Sequence, residues 1–443
     1  MTTVDAADGL VILNEYESVK VTGLHPSSAD IDAAESEALA KRITLRWLRG
    51  DTLEITANSH VGVVNLNCVA IHVRPKLAGR ELSVLQMLDY ASGLPALRNL
   101  DQLQRLGQGL HLRDLVCLLL ARETDKLLRH GLRRDYLRRE ESLPAVRGRL
   151  LIDRQILRRY GQLDRLECRY DELSSDIPDN QLCGAALQVA ARSTGDPTVR
   201  ASARRLAADF ADVCVPDRLN IRATEERLTY HRGNEHYRNA HRWALLLLRG
   251  AAFSDLYSAT GPSSQAFMID MNVLFEKFVT QLLRDATRGS GIAVRDQDSL
   301  DKAICHQDGH SYTTITPDIQ LVHGHGPGAW RCSIDAKYKL YTDNKVKPGD
   351  LYQSFTYAQA LSNQNSPRPP TAYILYASEQ DVSPRTVILH RRNREPAARI
   401  TLIAINVPHA LETLASQNRQ PMLDNLSSQI LSSRLTTSKS AVG

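Results

Sequence analysis

The sequence predicts an α/β multidomain protein: a small N-terminal antiparallel β domain, a helical middle region and a C-terminal α/β domain. Three observations carry this. Short runs rich in β-branched residues crowd the first 80 positions, apolar residues at helical spacing dominate from 81 to about 255, and helix-like and strand-like segments alternate beyond a Gly261-Pro262-Ser263-Ser264 stretch. At 443 residues the chain also exceeds what one hydrophobic core organises.

In chain order, residues 10–13, 43–47, 53–56, 61–64 and 69–73 read as strands. Asn65-Leu66-Asn67 suggests a tight turn, and Pro75, which cannot donate to a ladder, ends the last strand. These segments make up the β domain, residues 1–80. Leu82, Leu85, Met87 and Leu88, then Leu112, Leu115, Val116, Leu119 and Leu120, repeat with helical spacing. Ser142-Leu143-Pro144 and Ser174-Ser175-Asp176-Ile177-Pro178 interrupt the pattern, and helices resume from Gln181 to Leu248 with a pause at Pro216. The middle region thus covers 81–260. The α/β domain, 261–415, opens with a helix carrying Met271, Leu274, Phe275, Phe278 and Val279. Strands at 319–322 and 332–338, a helix at 350–361 and strands at 372–376, 386–389 and 399–403 follow. Residues 416–443, rich in Ser, Gln and Thr, read as a polar mobile tail.

Composition excludes some classes. With 42% hydrophobic and 24% charged residues the chain is ordinary for a soluble protein, and no run approaches the roughly 20 apolar residues that span a bilayer. Met1-Thr2-Thr3-Val4-Asp5 lacks the basic and apolar regions of a signal peptide, so a cytoplasmic protein with no membrane contact is expected. The net charge of +5 is compatible with DNA binding without arguing for it. Arginines cluster at 129, 133, 134, 138 and 139, at 147, 149, 154, 158 and 159, and in His390-Arg391-Arg392-Asn393-Arg394. Such stripes attract phosphates through counterion release, and they serve as readily as faces paired with acids. Seven scattered cysteines without a C-x-x-C point to free thiols. Cys305, His306, His310, His323 and His325 lie close together but lack the paired spacing of a structural zinc site. No G-x-x-x-x-G-K-[ST] string is present, so the chain shows no phosphate-binding loop for a nucleotide.

The candidate chemistry lies at Thr316-Pro317-Asp318 and Ile334-Asp335-Ala336-Lys337. Side chains at i and i+2 of a strand share a face, so Asp335 and Lys337 project together. A hairpin across the loop at 323–328 brings Asp318 beside them. Two carboxylates suit Mg²⁺, which takes oxygen ligands and keeps several waters. A divalent cation and a nearby ammonium are what phosphodiester cleavage needs, since both offset charge on an electron-rich centre. Glu276 lies off the apolar stripe of its helix, where it can face the same site. Gln353 and Tyr357 stand at i and i+4 on one helix face, where an amide and a phenol suit DNA contacts.

Glu276, Pro317-Asp318, Asp335-Ala336-Lys337 and Gln353-x-x-x-Tyr357 resemble the PD-(D/E)XK nuclease superfamily, in the branch with a Q-x-x-x-Y motif. The fuller strings Met271-Asn272-Val273-Leu274-Phe275-Glu276, Asp335-Ala336-Lys337-Tyr338-Lys339 and Asp350-Leu351-Tyr352-Gln353 resemble the McrC family, the nuclease subunits of McrBC-type 5-methylcytosine restriction systems. Val61-Gly62-Val63-Val64, Ile71-His72-Val73-Arg74-Pro75-Lys76, Val146-Arg147-Gly148-Arg149 and Asp176-Ile177-Pro178-Asp179-Asn180 agree in order. The resemblance implies a C-terminal PD-(D/E)XK nuclease domain and a Mg²⁺-dependent endonuclease, with Mn²⁺ as substitute metal. Asp318, Asp335 and Lys337 would be catalytic, and Asp318, Asp335 and Glu276 would bind the metal. Gln353 and Tyr357 would support, and Lys339, Tyr352 and Gln353 would touch DNA. It further implies an AAA+ GTPase ring (McrB-like) as partner, which reads methylated DNA and whose GTP hydrolysis this chain stimulates, a role in antiviral defence. Arg74 and Lys76 are candidate contacts to that partner. The alternatives are a RecB-like repair nuclease and a non-catalytic ring-activating scaffold. Intact Asp318, Asp335 and Lys337 argue against the scaffold.

Overall fold

The computed structural model describes residues 2–5, 9–76, 81–92, 110–216, 220–255, 265–324, 329–338, 346–362, 369–416 and 418–435. The chain divides into two compact units: residues 1–63, 68–108 and 268–443 in the first, 64–67 and 109–267 in the second. The N-terminal strands thus share a unit with the C-terminal α/β segment, across the sequence border near residue 80.

The first unit begins with β1 (Thr2–Asp5), β2 (Leu10–Asn14) and β3 (Ser18–Thr22), then short helices α1 (Ser28–Glu35) and α2 (Glu37–Ala40). Strands β4 (Ile43–Leu48), β5 (Thr52–Ala57), β6 (His60–Asn65) and β7 (Ala70–Arg74) follow, and then α3 (Glu81–Ala91). One sheet has the order β1-β3-β5-β4, with Val19, Val21, Leu45, Leu53 and Ile55 buried at alternate positions. The expectation of a purely antiparallel domain is corrected. β3–β5 and β4–β5 are antiparallel, but β1–β3 and β2–β7 are parallel. β2 and β7 are separated by the whole β3–β6 excursion, the long crossover that parallel pairing needs. Helix α1 lacks a strong apolar stripe and starts from a capping box. The Ser27 hydroxyl accepts the Asp30 N–H at 3.3 Å, and Asp30 Oδ2 accepts the Ser27 N–H at 2.9 Å.

The second unit packs α4 (Leu112–His130) with later helices around Leu115, Leu119, Leu187, Leu206, Phe210, Trp243 and Leu247. Between them the expectation of a mainly helical region is corrected. β8 (Asp135–Leu143), β9 (Arg149–Leu150), α5 (Ile152–Arg159) and β10 (Leu166–Ser174) form an antiparallel sheet of order β8-β10-β9 with one helix. Its sequence is charged rather than alternately apolar, because cross-strand ion pairs occupy the ladder. Arg138 lies 3.7 Å from Asp171, Arg139 3.4 Å from Glu172 and Arg169 2.7 Å from Glu140, which also pairs with Arg154. Much of the basic stripe is therefore spoken for. Gly148, at φ +70°, brings its backbone so close that a Cβ would lie 2.4 Å from the Arg169 carbonyl. The remaining helices are α6 (Pro178–Ser193), α7 (Pro197–Ala211), α8 (Ile221–Arg227) and α9 (Arg238–Asp255). Asp179 and Asn180, in the first turn of α6, anchor this unit. Asp179 accepts from Arg133 at 2.9 Å and Asn234 at 3.0 Å, and Asn180 accepts from the Tyr237 hydroxyl at 2.8 Å.

The chain returns to the first unit through β11 (Gln265–Asp270), which completes a sheet of order β11-β6-β7-β2. Then come α10 (Met271–Ala286), β12 (Ile292–Asp296), the hairpin β13 (Leu300–Cys305) and β14 (Ser311–Ile315), β15 (Ile319–His323) and β16 (Trp330–Lys337). After α11 (Pro348–Ala360) follow β17 (Thr371–Ser378), β18 (Arg385–His390), β19 (Pro396–Asn406), α12 (Val407–Ala415) and α13 (Gln420–Leu435). The central mixed sheet has the order β12-β15-β16-β17-β19-β18. β16–β17 and β17–β19 are parallel; the other pairs are antiparallel. Leu351 and Phe355 of α11 pack on Ile374, Ile400 and Leu402. Phe275 of α10 meets Tyr338 at the end of β16 on the opposite face, where Tyr373 also donates to the Ile430 carbonyl at 2.7 Å. Helix α3 packs on α10 through Tyr90, which meets Phe278 and donates to Asp285 at 2.7 Å.

The mobile-tail expectation is also corrected, over 420–435. There α13 buries Leu423, Leu426 and Ile430 as it packs on α10, the polar residues around them masking an apolar stripe. Ile430→Ala should therefore lower unfolding free energy by about 2–5 kcal/mol. Urea denaturation reads this directly, and an unchanged midpoint would restore the mobile tail. Among the described residues no helix is long and apolar enough to cross a membrane.

Candidate active site

The site is built on the β15–β16 hairpin. Ile319 pairs with Ile334, which sets Asp318 next to Asp335 at the hairpin's open end. The Ala336 N–H donates to Asp318 Oδ2 at 2.9 Å, fixing the first carboxylate to the strand that carries the second. Asp335 is buried, and Lys337, on the same face, places Nζ 2.8 Å from its Oδ2. Asp335 Oδ1 is buried without a hydrogen-bond partner. Asp350, in the first turn of α11, lies 4.0 Å from the same ammonium.

The electrostatics follow from this crowding. Burial, and then the charge of Asp318, push the Asp335 carboxyl up to about 7 against the pull of Lys337. Burial also raises Asp318, opposed by the Ala336 hydrogen bond and assisted by the charge of Glu276. Burial lowers Lys337, but Asp335, Asp318 and Asp350 outweigh it and hold the ammonium protonated above the ordinary lysine value. Buried Asp335 and half-buried Asp318, close enough to share a proton, with one ammonium against Asp335 and two further acids, make a locally anionic site that favours a cation.

Glu276, on α10, directs its Oε1 to the amide of Gln297 at 2.6 Å. On α11, Gln353 donates to the Tyr357 hydroxyl at 2.8 Å, and Tyr357 reaches towards the Thr316 carbonyl at 3.5 Å. The structure thus brings Glu276, Asp318, Asp335, Lys337, Gln353 and Tyr357 to one end of the sheet. Tyr352 is 68% exposed on the same helix. Lys339 lies outside the described residues. Arg74 is half-exposed, 4.0 Å from Glu81, and the Lys76 N–H donates to the buried Glu15 carboxylate at 2.8 Å. Glu15 also accepts from Tyr338, the residue after Lys337, at 3.1 Å.

Among the described residues no three His, Cys, Asp or Glu side chains converge as a ready-made metal cage. This covers Cys305, His306, His310 and His323, while His325 lies outside them. Mg²⁺ does not need such a cage, since one or two carboxylates and several waters suffice. Asp318 and Asp335 meet that requirement, and the unpartnered Oδ1 of Asp335 is the atom that an oxygen-seeking cation would take. Sequence reasoning assigned no role to Asp350, Glu15 or Gln297. Asp350 lay within a quoted string, whereas Glu15 and Gln297 belong to no motif or periodic face.

Residues 55–369 match a family model described as McrBC 5-methylcytosine restriction system component. The chain belongs to this McrBC component family. The matched span contains Glu276, Asp318, Asp335, Lys337, Asp350, Gln353 and Tyr357, but not Glu15. One solved structure, the refined half-complex from the tetradecameric assembly of Thermococcus gammatolerans McrB AAA+ hexamers with bound McrC, is similar with a TM-score of 0.61 and 19% identity, over 94% of this chain and 100% of that one. At that identity the likeness is one of fold. The cryo-EM structure of the Thermococcus gammatolerans McrBC complex has a TM-score of 0.43 and 23% identity, over 62% of this chain and 88% of that one. No curated protein matches.

Proposed function

We propose that this McrBC component is the DNA-cutting subunit of a modification-dependent restriction complex, a Mg²⁺-dependent endodeoxyribonuclease of PD-(D/E)XK type. In this reading it works with an AAA+ GTPase ring and stimulates GTP hydrolysis there, while the ring reads the methylated base. The observation that carries the nuclease role is the pairing of half-buried Asp318 with buried Asp335, one oxygen of which is unpartnered, and an ammonium 2.8 Å from Asp335. The partner is supported by the McrB AAA+ hexamers named for the similar structure and by the lack of a P-loop string in this chain.

Asp318 and Asp335 would hold Mg²⁺, with Glu276 at the rim and Mn²⁺ as a substitute. Bound there, the cation supplies charge neutralisation at phosphorus and an acidified water. Lys337 spends one side of its ammonium on Asp335 and offers the other to a phosphate oxygen as negative charge builds on it. Asp350 helps keep that lysine protonated. Burial excludes competing water and strengthens each of these interactions. The Gln353 amide and Tyr357 phenol offer uncharged donors for the DNA backbone without opposing the cation.

The test uses the chain co-purified with its AAA+ partner. Methylated plasmid should be cut with GTP and Mg²⁺ or Mn²⁺, while unmethylated plasmid, or Ca²⁺ in place of Mg²⁺, leaves it intact. Plasmid that stays whole under all metals would end the nuclease reading.

A further inference from the structure

Gln297 is one of few residues other than glycine with a positive φ among the described residues, at +52°. It follows β12 directly, at the corner where the chain turns from the central sheet into the β13–β14 hairpin. Side-chained residues adopt this left-handed backbone at a cost that glycine avoids, and such strain persists where the surroundings over-determine it. Here the surroundings are the site itself. The Gln297 N–H donates to the Asp318 carbonyl at 3.0 Å, and its side-chain amide donates to Glu276 Oε1 at 2.6 Å. The next residues repeat the attachment. The Asp298 carbonyl accepts from Gln320 at 2.5 Å, and the Ser299 hydroxyl lies 3.0 Å from that of Thr316. One strained residue therefore grips the main chain of one acid and the side chain of another that arrives from a different helix.

The residue type is informative. A glycine would relieve the backbone but could not reach Glu276. A lysine or arginine would reach it but cancel the negative charge that a cation site needs. An amide donates a hydrogen bond and leaves the carboxylate charged. We infer that Gln297 is a positioning residue for Glu276, holding its carboxylate at the rim of the Asp318–Asp335 pair so that it faces the hydration shell of a divalent cation. A cation that keeps several waters is gripped by such an outer carboxylate through those waters. This inference rests on the nuclease reading above.

The experiment compares wild type, Gln297→Ala, Gln297→Gly and Gln297→Glu as the full chain with its AAA+ partner. Calorimetric titration with Mn²⁺, thermal melts without metal, and plasmid cutting across a Mg²⁺ series are the readouts. Gln297→Ala and Gln297→Gly should each weaken Mn²⁺ binding and raise the half-saturating Mg²⁺ concentration roughly 10-fold, while cutting at saturating Mg²⁺ stays within about 3-fold of wild type. Gln297→Gly should melt no lower than Gln297→Ala, since it removes the strain, so a purely structural role would leave its metal dependence untouched. Gln297→Glu, which sets a second charge against Glu276, should bind Mn²⁺ differently from both. Wild-type metal affinity in the alanine and glycine variants would overturn the assignment of Gln297 alone. A wild-type chain that binds no Mn²⁺ would overturn the nuclease reading and this inference with it.

Discussion

Asp335→Asn is expected to abolish DNA cleavage, by at least about 10³-fold, while making the metal-free protein more stable at pH 8. The two effects have one origin. Asp335 is buried beside Asp318, and its carboxyl is pushed up to about 7 from an ordinary value of 3.8. Below about pH 3.8 it is protonated in folded and unfolded states alike, and the asparagine changes little. Between 3.8 and 7 the folded state holds the proton more tightly, so stability of the metal-free protein falls as pH rises through this window. Above about 7 the folded chain carries the full cost of the buried charge, on the order of a few kcal/mol, which asparagine removes. Melting temperatures in EDTA should therefore differ little between variant and wild type near pH 4 and diverge by pH 8. With Mg²⁺ the order closes or reverses, because only the carboxylate gains from the metal. Stimulation of the partner's GTP hydrolysis should survive in the variant. Retained cleavage, or a variant that melts lower than wild type at pH 8 in EDTA, would remove Asp335 from the site.

The hairpin and its flanking helices were legible because their signals are local. Pro317-Asp318, the loop and Ile334-Asp335-Ala336-Lys337 lie within 22 residues, and strand parity alone places Asp335 and Lys337 together. Gln353 and Tyr357 are a single helical turn apart, and the observed amide-to-phenol bond follows from that spacing. What escaped was non-local or charge-coded. The ladder of β8 and β10 is made of arginine–carboxylate pairs, which read as a solvated helix when apolar periodicity is the guide. Helix α13 hides Leu423, Leu426 and Ile430 among serines and glutamines. The grouping of the N-terminal strands with 268–443 rests on distant contacts, among them Tyr338 to Glu15 and Tyr90 to Asp285, the last almost 200 positions apart. Gln297 reaches Glu276 through a backbone angle that no composition signal encodes. The family match over 55–369 supplies what the residues alone left open, namely that these motifs belong to one restriction-system family.

Lys337→Met should be the most damaging single change at this site, removing cleavage and stability together. Among the described residues the ammonium is the one positive group directly against Asp335, and its loss leaves buried Asp335 facing half-buried Asp318. Removing one partner of a buried pair costs more than the pair itself contributes, because the remaining charge stays desolvated. Lys337 is partly exposed, so a loss of about 1–3 kcal/mol is expected rather than the full buried-pair figure. The double variant Asp335→Asn/Lys337→Met separates the two roles. With the Asp335 charge gone, methionine leaves only the half-buried Asp318 without the ammonium, and the melting temperature should recover most of the way to that of Asp335→Asn. Cleavage should stay absent in all three variants, since neither a cation ligand nor a phosphate-facing ammonium is restored. The non-additivity is the decisive quantity: a coupling of at least about 1 kcal/mol in urea unfolding at pH 8 is expected for groups in contact. Additive stability losses would mean that Lys337 and Asp335 do not act on each other. Cleavage surviving in Lys337→Met would mean that the charge offered to the phosphate comes from elsewhere.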